Sequence, residues 1–379
     1  MLRKLWAIPF SPALVAAVLA SWALACGCAA LATTPTPPRS SASPSSVKPH
    51  TPKVIIGVNA ALGRGDGFAK AVHAAGFTSD RIEPLVRGSD VSYENVPKIA
   101  GALGFADNAV TVGDINHGGP RSGEPALSEW ATEPSLKRWT GRALGEVEEA
   151  ARYGNTLMEV GNEMFLVAAV AGSKYPQPIA YAQMFVALSK AVDGAKHRAR
   201  GYKLPSGVRL LFNLFGEYEE SKEKWSELAL SSGKYHGWLG DALEAPGEVG
   251  KELRRTIEGF SFHAYETRVR NSKGEWEAAK EPRHDSGTLG LKYDYEEAQD
   301  LGLGNLPVYV TELGFTTSGS VQAAEAKGEY AELLAFPEVK GIWYFAAGPQ
   351  TEKKTGLFER WHRRWRLDKA GQALLAVTG

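Results

Sequence analysis

The sequence contains very little cysteine, and both cysteines lie near the amino terminus. Cys26 and Cys28 are the only two in 379 residues. The chain beyond residue 30 therefore cannot form a disulfide bond, and it cannot bind zinc through thiolates. Its stability must come from a hydrophobic core, and the length of the chain is ample for a large one.

The sequence also lacks a net charge, because basic and acidic residues number 43 each. Binding to nucleic-acid phosphates requires a basic excess, so we expect no nucleic-acid partner. The first 52 residues hold four of the basic residues and no acidic one, which leaves 39 basic and 43 acidic residues in the remainder. A mildly acidic body suits a neutral or cationic partner better than an anionic one.

Residues 1–25 have the pattern of an export signal. Arg3 and Lys4 precede an apolar stretch that is short and is interrupted early by two prolines. This length favours a signal peptide over a stable membrane span. The small residues before Cys26 resemble a bacterial lipobox, in which the cysteine is acylated and becomes the first mature residue. We expect an exported cell-surface lipoprotein, with plain secretion and an uncleaved anchor as alternatives.

The segment from the lipidated cysteine to Pro52 (residues 26–52) is rich in proline, serine and threonine. This composition cannot bury a core, so we predict a disordered tether between the lipid and a single domain at residues 53–379. Apart from that possible lipid anchor we expect no membrane contact, and we expect a monomer.

Eight short apolar runs, rich in β-branched and aromatic residues, recur through residues 53–379 and alternate with helix-like segments. The runs are Val54–Asn59, Arg81–Val86, Ala109–Ile115, Thr156–Glu163, Val208–Phe215, Gly259–Tyr265, Pro307–Glu312 and Gly341–Ala346. Strands that alternate with helices favour a parallel sheet, and eight alternations predict an α/β protein of the (β/α)8 TIM-barrel type. A doubly wound open sheet is the alternative, but residues 63–67 (GRGDG) lack the G-x-G-x-x-G spacing.

A glutamate ends the fourth run and another ends the seventh, namely Glu163 and Glu312. Active sites of such barrels lie at the carboxyl ends of the strands, so both carboxyl groups can face the same opening. Glycoside hydrolysis requires a pair of carboxyl groups, one on each side of the glycosidic bond that breaks. One must be protonated to serve the leaving oxygen, and the other must be ionised to attack the anomeric carbon.

Three motifs resemble those of the retaining glycoside hydrolases of clan A. They are Glu-Val-Gly-Asn-Glu at 159–163, His-Ala-Tyr at 263–265 and Thr-Glu-Leu-Gly at 311–314. The order and spacing of the eight runs extend the resemblance over the whole body. It implies a (β/α)8 barrel in which Glu163 is the acid/base and Glu312 is the nucleophile. It also implies that the enzyme needs no metal and no other cofactor.

The resemblance implies further roles around the nucleophile. Asn162 would hydrogen-bond the 2-hydroxyl of the sugar. His263 and Tyr265 would lie beside Glu312, with Tyr265 hydrogen-bonded to it. Arg81 matches an arginine of the second strand that keeps the nucleophile ionised.

Trp343 matches a tryptophan of the eighth strand on which the sugar stacks. Two positions depart from the pattern of many relatives, which have tryptophan where Gly161 stands and proline where Met164 stands.

Strand alternation places Glu159 on the same face as Glu163, inside the barrel. An inward acid is costly unless it is paired, so we expect a structural ion pair with Arg81.

The expected substrate is a carbohydrate. Our first expectation is a poly- or oligosaccharide with β-linkages. Two other functions are open from the sequence. One is a metal-dependent barrel enzyme such as a sugar isomerase, with Glu159, Glu163, His263 or His117 as ligands. The other is a non-catalytic, carbohydrate-binding surface lipoprotein. Elemental analysis and a panel of chromogenic glycosides separate these functions.

Overall fold

The structure is a computed structural model of the chain. It describes residues 54–59, 66–82, 96–113, 133–162, 164, 178–214, 237–265, 268–270, 276–278, 287–315, 319–348, 356–362 and 364–378. The predicted signal peptide, Cys26, the tether, His117 and Glu163 lie outside these residues. Among the residues that are described, no helix is both long and apolar enough to cross a membrane.

Eight parallel strands close into a barrel in which each strand pairs with the next along the ring. The strands are β1 (Ile55–Asn59), β2 (Ser79–Ile82), β3 (Ala109–Val112), β4 (Leu157–Val160), β5 (Arg209–Asn213), β6 (Phe260–Tyr265), β9 (Val308–Gly314) and β10 (Val339–Tyr344). The ring closes where β10 pairs with β1. The predicted (β/α)8 architecture is confirmed, and all eight strands fall within or beside the apolar runs of the sequence.

Helices surround the barrel and bury apolar faces against the strands. They are α1 (Asp66–Ala74), α2 (Val96–Ala102), α3 (Glu133–Arg152), α4 (Pro178–Lys196), α5 (Gly237–Leu243), α6 (Val249–Thr256), α7 (Gly287–Asp300), α8 (Gly319–Ala335) and α9 (Lys369–Thr378). In α4, Met184, Leu188 and Val192 are buried, which is the face that their four-residue spacing predicts.

Two antiparallel hairpins were not predicted. One joins β7 (Arg268–Arg270) to β8 (Trp276–Ala278), and the other joins β11 (Phe358–Trp361) to β12 (Arg364–Leu367). The second hairpin packs on the outside of the barrel, where Trp365 meets the ring of Phe68 edge-on with 4.7 Å between the centroids.

The interior of the barrel changes from apolar to polar along the strands. The apolar part is a buried cluster of Ala109, Leu157, Leu211, Tyr309 and Trp343. Residues two positions apart on a strand share a face, so the next inward positions lie nearer the carboxyl ends. Those positions are polar and buried, and include Thr111, Glu159, Asn213 and Thr311. Polar groups therefore collect at the end of the barrel where active sites form.

Candidate active site

Arg81 lies at the centre of the polar end of the barrel and is fully buried. Its Nε donates a hydrogen bond of 2.7 Å to Oε2 of Glu159, and its Nη2 lies 2.6 Å from the same oxygen. Its Nη1 donates to Oε1 of Glu312 at 2.5 Å. One planar guanidinium thus holds two carboxylates in fixed positions, which suits the rigid set of donors of arginine.

Glu312 lies near the carboxyl end of β9 and is buried, with an exposure of 4%. Arg81 holds one of its carboxylate oxygens, and the hydroxyl of Tyr265 donates to the other. The predicted hydrogen bond between Tyr265 and Glu312 is therefore confirmed. Gly314, which pairs with Tyr265 across the strands, makes this contact possible, because a Cβ at Gly314 would collide with the tyrosine ring. With both oxygens held, the carboxylate has a defined orientation.

Glu159 lies deeper in the barrel, on β4, with no exposed surface. Besides Arg81, the hydroxyl of Thr311 donates to Oε1 at 2.7 Å and that of Thr111 donates to Oε2 at 3.2 Å. Burial alone raises the pKa of Glu159, but the charges of Arg81 and His263 and hydrogen bonds from His263 and Thr311 outweigh it. The net result is a pKa of about 2. The predicted pair of Glu159 and Arg81 is confirmed.

His263 lies between the two glutamates and touches both. Its Nε2 is 3.2 Å from Oε1 of Glu159, and its Nδ1 is 3.7 Å from Oε2 of Glu312. Strand alternation places Tyr265 two residues further along β6 on the same face, and the two rings meet edge-on at 6.4 Å. His263 and Tyr265 therefore lie beside Glu312, where the sequence predicted them.

Asn162 reaches the same cluster from the end of β4. Its Oδ1 accepts a hydrogen bond of 2.7 Å from Nη2 of Arg81. The chain turns just before it, because Gly161 has a φ of +73°. A Cβ at Gly161 would collide with Met164, which is fully buried. The two departures from the clan pattern therefore compensate for each other, since the methionine fills space that the glycine leaves. Asn162 directly precedes Glu163, the predicted acid/base, which lies outside the described residues.

Trp343 is not the sugar platform that the sequence predicted. It is 0% exposed and belongs to the apolar cluster inside the barrel. Its Nε1 donates a hydrogen bond of 2.8 Å to Oγ of Ser79. Gly57 and Gly341 leave the room that the indole fills, because a Cβ at either position would overlap it. A ring with neither face accessible cannot stack on a sugar, so this prediction is wrong.

Phe345 is the aromatic residue that the sequence analysis missed. It lies two positions after Trp343 and so projects from the same side of the chain, nearer the carboxyl end of the strand. It is partly exposed, and its ring meets that of Tyr265 edge-on with 6.2 Å between the centroids. Two-residue alternation along the run Trp-Tyr-Phe at 343–345 makes both aromatic residues candidates, but it does not show which of them lies nearer the opening of the barrel.

A separate cavity of about 670 Å³ opens at the amino ends of the strands, and Arg209, Tyr309 and Lys340 are among the residues that line it. None of the predicted catalytic or substrate-binding residues lines it. Within the described part of the chain, histidine, cysteine and acidic side chains form no group of three that could hold a metal ion. The candidate active site is the cluster around Arg81, which joins Glu159 and Glu312.

Comparison of the sequence with protein-family models finds no match, and comparison with curated proteins finds none either. Solved structures do match. A β-glucosidase from Thermotoga maritima, in complex with glucoimidazole, superposes with a TM-score of 0.52 and 13% identity over 82% of this chain and 86% of that one.

A β-glucosidase from Exiguobacterium marinum gives a TM-score of 0.47 and 12% identity over 80% of this chain and 83% of that one. Gas2p of Saccharomyces cerevisiae, in complex with laminaritetraose and laminaripentaose, also gives 0.47 and 12%, over 86% of this chain and 63% of that one. The neighbour that superposes with a TM-score of 0.52, the Thermotoga β-glucosidase, is a glycoside hydrolase, like the group that the sequence motifs resemble. At such low identity, the Thermotoga enzyme shows a shared (β/α)8 fold and no more.

Proposed function

We propose that this protein is a retaining glycoside hydrolase that cleaves the O-glycosidic bonds of a β-linked poly- or oligosaccharide. The proposal rests on the position of Glu312 and on its hydrogen-bond partners. Its carboxylate lies at the carboxyl end of the seventh barrel strand, where Arg81 and Tyr265 each hold one oxygen. A nucleophile in this reaction must be correctly oriented, and these two contacts place a cation on one carboxylate oxygen and a hydroxyl donor on the other.

In the first step, an oxygen of Glu312 attacks the anomeric carbon while Glu163 donates a proton to the departing glycosidic oxygen. The bond between that carbon and the leaving oxygen breaks, and a glycosyl ester of Glu312 forms. The cation of Arg81 stabilises the ionised carboxylate before attack. In this scheme, Asn162 accepts a hydrogen bond from Arg81 and orients the 2-hydroxyl of the sugar.

In the second step, Glu163 removes a proton from a water molecule, whose oxygen attacks the anomeric carbon. The ester bond breaks and Glu312 leaves as a carboxylate, next to Arg81 and Tyr265. Two inversions give net retention of the anomeric configuration. The scheme requires the carboxyl groups of Glu163 and Glu312 to be about 5–5.5 Å apart.

The direct test is a panel of chromogenic glycosides and β-linked polysaccharides, with the initial products followed by NMR. We expect turnover of at least one β-glycoside, products of retained configuration, and full activity after chelation and dialysis. Inverted products would contradict the double displacement. If no glycoside is cleaved, or if activity needs a divalent metal ion, the proposal is wrong.

Phe345 is proposed as an aromatic surface for the sugar, in place of Trp343. Replacement by alanine should raise KM about twofold to twelvefold, since an aromatic contact contributes roughly 0.5–1.5 kcal/mol. The matched control is Phe345→Tyr, which keeps the ring and should have a KM near that of the wild type. Steady-state kinetics on the best substrate of the panel measure both. An unchanged KM in Phe345→Ala would remove this residue from the substrate site.

We also propose that the protein is exported and anchored through Cys26. Support comes from the sequence alone, that is, from the basic start, the apolar stretch and the small residues before the cysteine. Metabolic labelling with a radioactive fatty acid in a bacterial host should label the wild type but not Cys26→Ser. Equal labelling of both proteins would contradict the assignment.

A further inference from the structure

Four ionisable side chains at the polar end of the barrel form a closed ion-pair ring, in which cationic and acidic groups alternate. Arg81 lies 2.6 Å from Glu159 and 2.5 Å from Glu312. His263 lies 3.2 Å from Glu159 and 3.7 Å from Glu312. The side chains are almost completely buried, with exposures between 0% and 6%. In such a place, a charge without a counter-charge is costly.

The charge of this ring depends on His263. Two ionised glutamates and Arg81 together carry one negative charge. A neutral imidazole would leave that charge uncompensated, whereas an imidazolium gives two anions and two cations. Burial raises the pKa of Glu159, but its contacts, chiefly the charge of Arg81, lower it to about 2, so Glu159 is a carboxylate near neutral pH. Tyr265 is the other titratable side chain of β6 beside His263, and the two rings meet edge-on.

Hydrogen-bond chemistry leads to the same protonation state. Each ring nitrogen of His263 faces a carboxylate oxygen, and a carboxylate can only accept hydrogen bonds. A neutral imidazole has one N–H, so its other nitrogen would direct a lone pair at an anionic oxygen. An imidazolium has two N–H groups, of which one donates to Glu159 and the other lies at an ion-pair distance of 3.7 Å from Glu312, too far for a hydrogen bond.

We propose that Glu159 is a positioning residue that keeps His263 protonated, so that a permanent imidazolium lies beside Glu312. Its importance for catalysis rests on the proposed function, since it is Glu312 that would react with the sugar. Glu159 itself does not touch the sugar in this account. It acts through His263 and through Arg81, which it holds in place for the nucleophile.

The ring would change its charge during the proposed reaction. When Glu312 becomes an ester, its negative charge disappears, and the two cations then face only Glu159. Both cations therefore favour the return of Glu312 to the carboxylate form. That return is the bond-breaking event of the second step, in which water replaces the ester oxygen at the anomeric carbon.

The test follows the ring nitrogens of His263 by NMR in protein labelled with 15N-histidine, from pH 5 to pH 9. The chain has eight histidines, and the signal that disappears in His263→Asn assigns this one. In the wild type, we expect His263 to have both nitrogens protonated at pH 7. In Glu159→Gln, the protonation midpoint should fall by about one pH unit or more, because the nearer carboxylate is lost.

The matched control is Thr311→Val, which removes a neutral hydrogen-bond donor from Glu159 but leaves its charge. Its midpoint should remain within about half a pH unit of the wild type. A neutral His263 in the wild type at pH 7 overturns the proposal, whether or not Glu159→Gln folds. Equal midpoints in folded Glu159→Gln and the wild type overturn it as well. Because the readout needs neither sugar nor turnover, its failure is distinguishable from a failure of the proposed hydrolase activity.

Discussion

Glu312→Gln should lose at least about a thousandfold in kcat on any glycoside that the wild type cleaves. The amide has nearly the same size, and its one carbonyl oxygen can accept a hydrogen bond from Arg81 while its NH2 group faces the hydroxyl oxygen of Tyr265. It carries no charge and cannot form the glycosyl ester. Circular dichroism and the thermal midpoint should show a folded protein, so the loss can be assigned to chemistry. Steady-state kinetics on the best substrate measure the effect.

The matched control is Glu332→Gln, the same change at an exposed position of α8. It should leave both kcat and stability near the wild-type values. If Glu312→Gln is folded and keeps most of its activity, Glu312 is not the nucleophile, and the double displacement proposed above is wrong.

Arg81→Met should destabilise the barrel strongly, with a loss of about 3–5 kcal/mol in the free energy of unfolding. The methionine fills much of the same volume but leaves Glu159, which has no exposed surface, without its main cation. The effect should also depend on pH. In the wild type, the pKa of Glu159 is lowered to about 2, so its contribution to stability is present above the unfolded value and decreases as the pH falls toward 2.

In Arg81→Met the sign should reverse. Without the guanidinium, burial raises the pKa of Glu159, so protonation restores stability as the pH is lowered into the mildly acidic range. Urea denaturation between pH 4 and pH 8 measures both curves. The control is Arg366→Met, which breaks an ion pair with Glu359 that is half exposed and should cost less than about 1 kcal/mol. Equal effects of the two substitutions would show that Arg81 does not hold the site together.

The barrel itself could be predicted from local patterns. Each buried strand corresponds to a short apolar run in the sequence, and the eight runs overlap the eight strands in the right order. The ends are less accurate, since β2 begins two residues before its run and β10 does the same. Alternation along β4 also predicted that Glu159 points inward and needs a cation. These features depend on neighbouring residues in the sequence, so one chain is enough to read them.

The choice between Trp343 and Phe345 could not be made in this way. Both side chains project from the same side of the chain. A prediction must therefore decide which of the two lies at the carboxyl end of the barrel, where a sugar could reach it. The answer depends on Gly57 and Gly341, whose missing side chains leave the space that the indole fills. Gly57 is nearly 300 residues away from Trp343 in the sequence. The register between β1 and β10, which brings the two together, is a property of the closed barrel and has no local signal.

The double displacement requires a covalent bond between Glu312 and the sugar. An activated 2-deoxy-2-fluoroglycoside of the preferred sugar should trap that intermediate, and peptide mapping with mass spectrometry locates it. We expect a mass increase of one fluoroglycosyl group, located on Glu312, in the wild type and none in Glu312→Gln. A label on another residue, or cleavage with inverted products and no label at all, would contradict it.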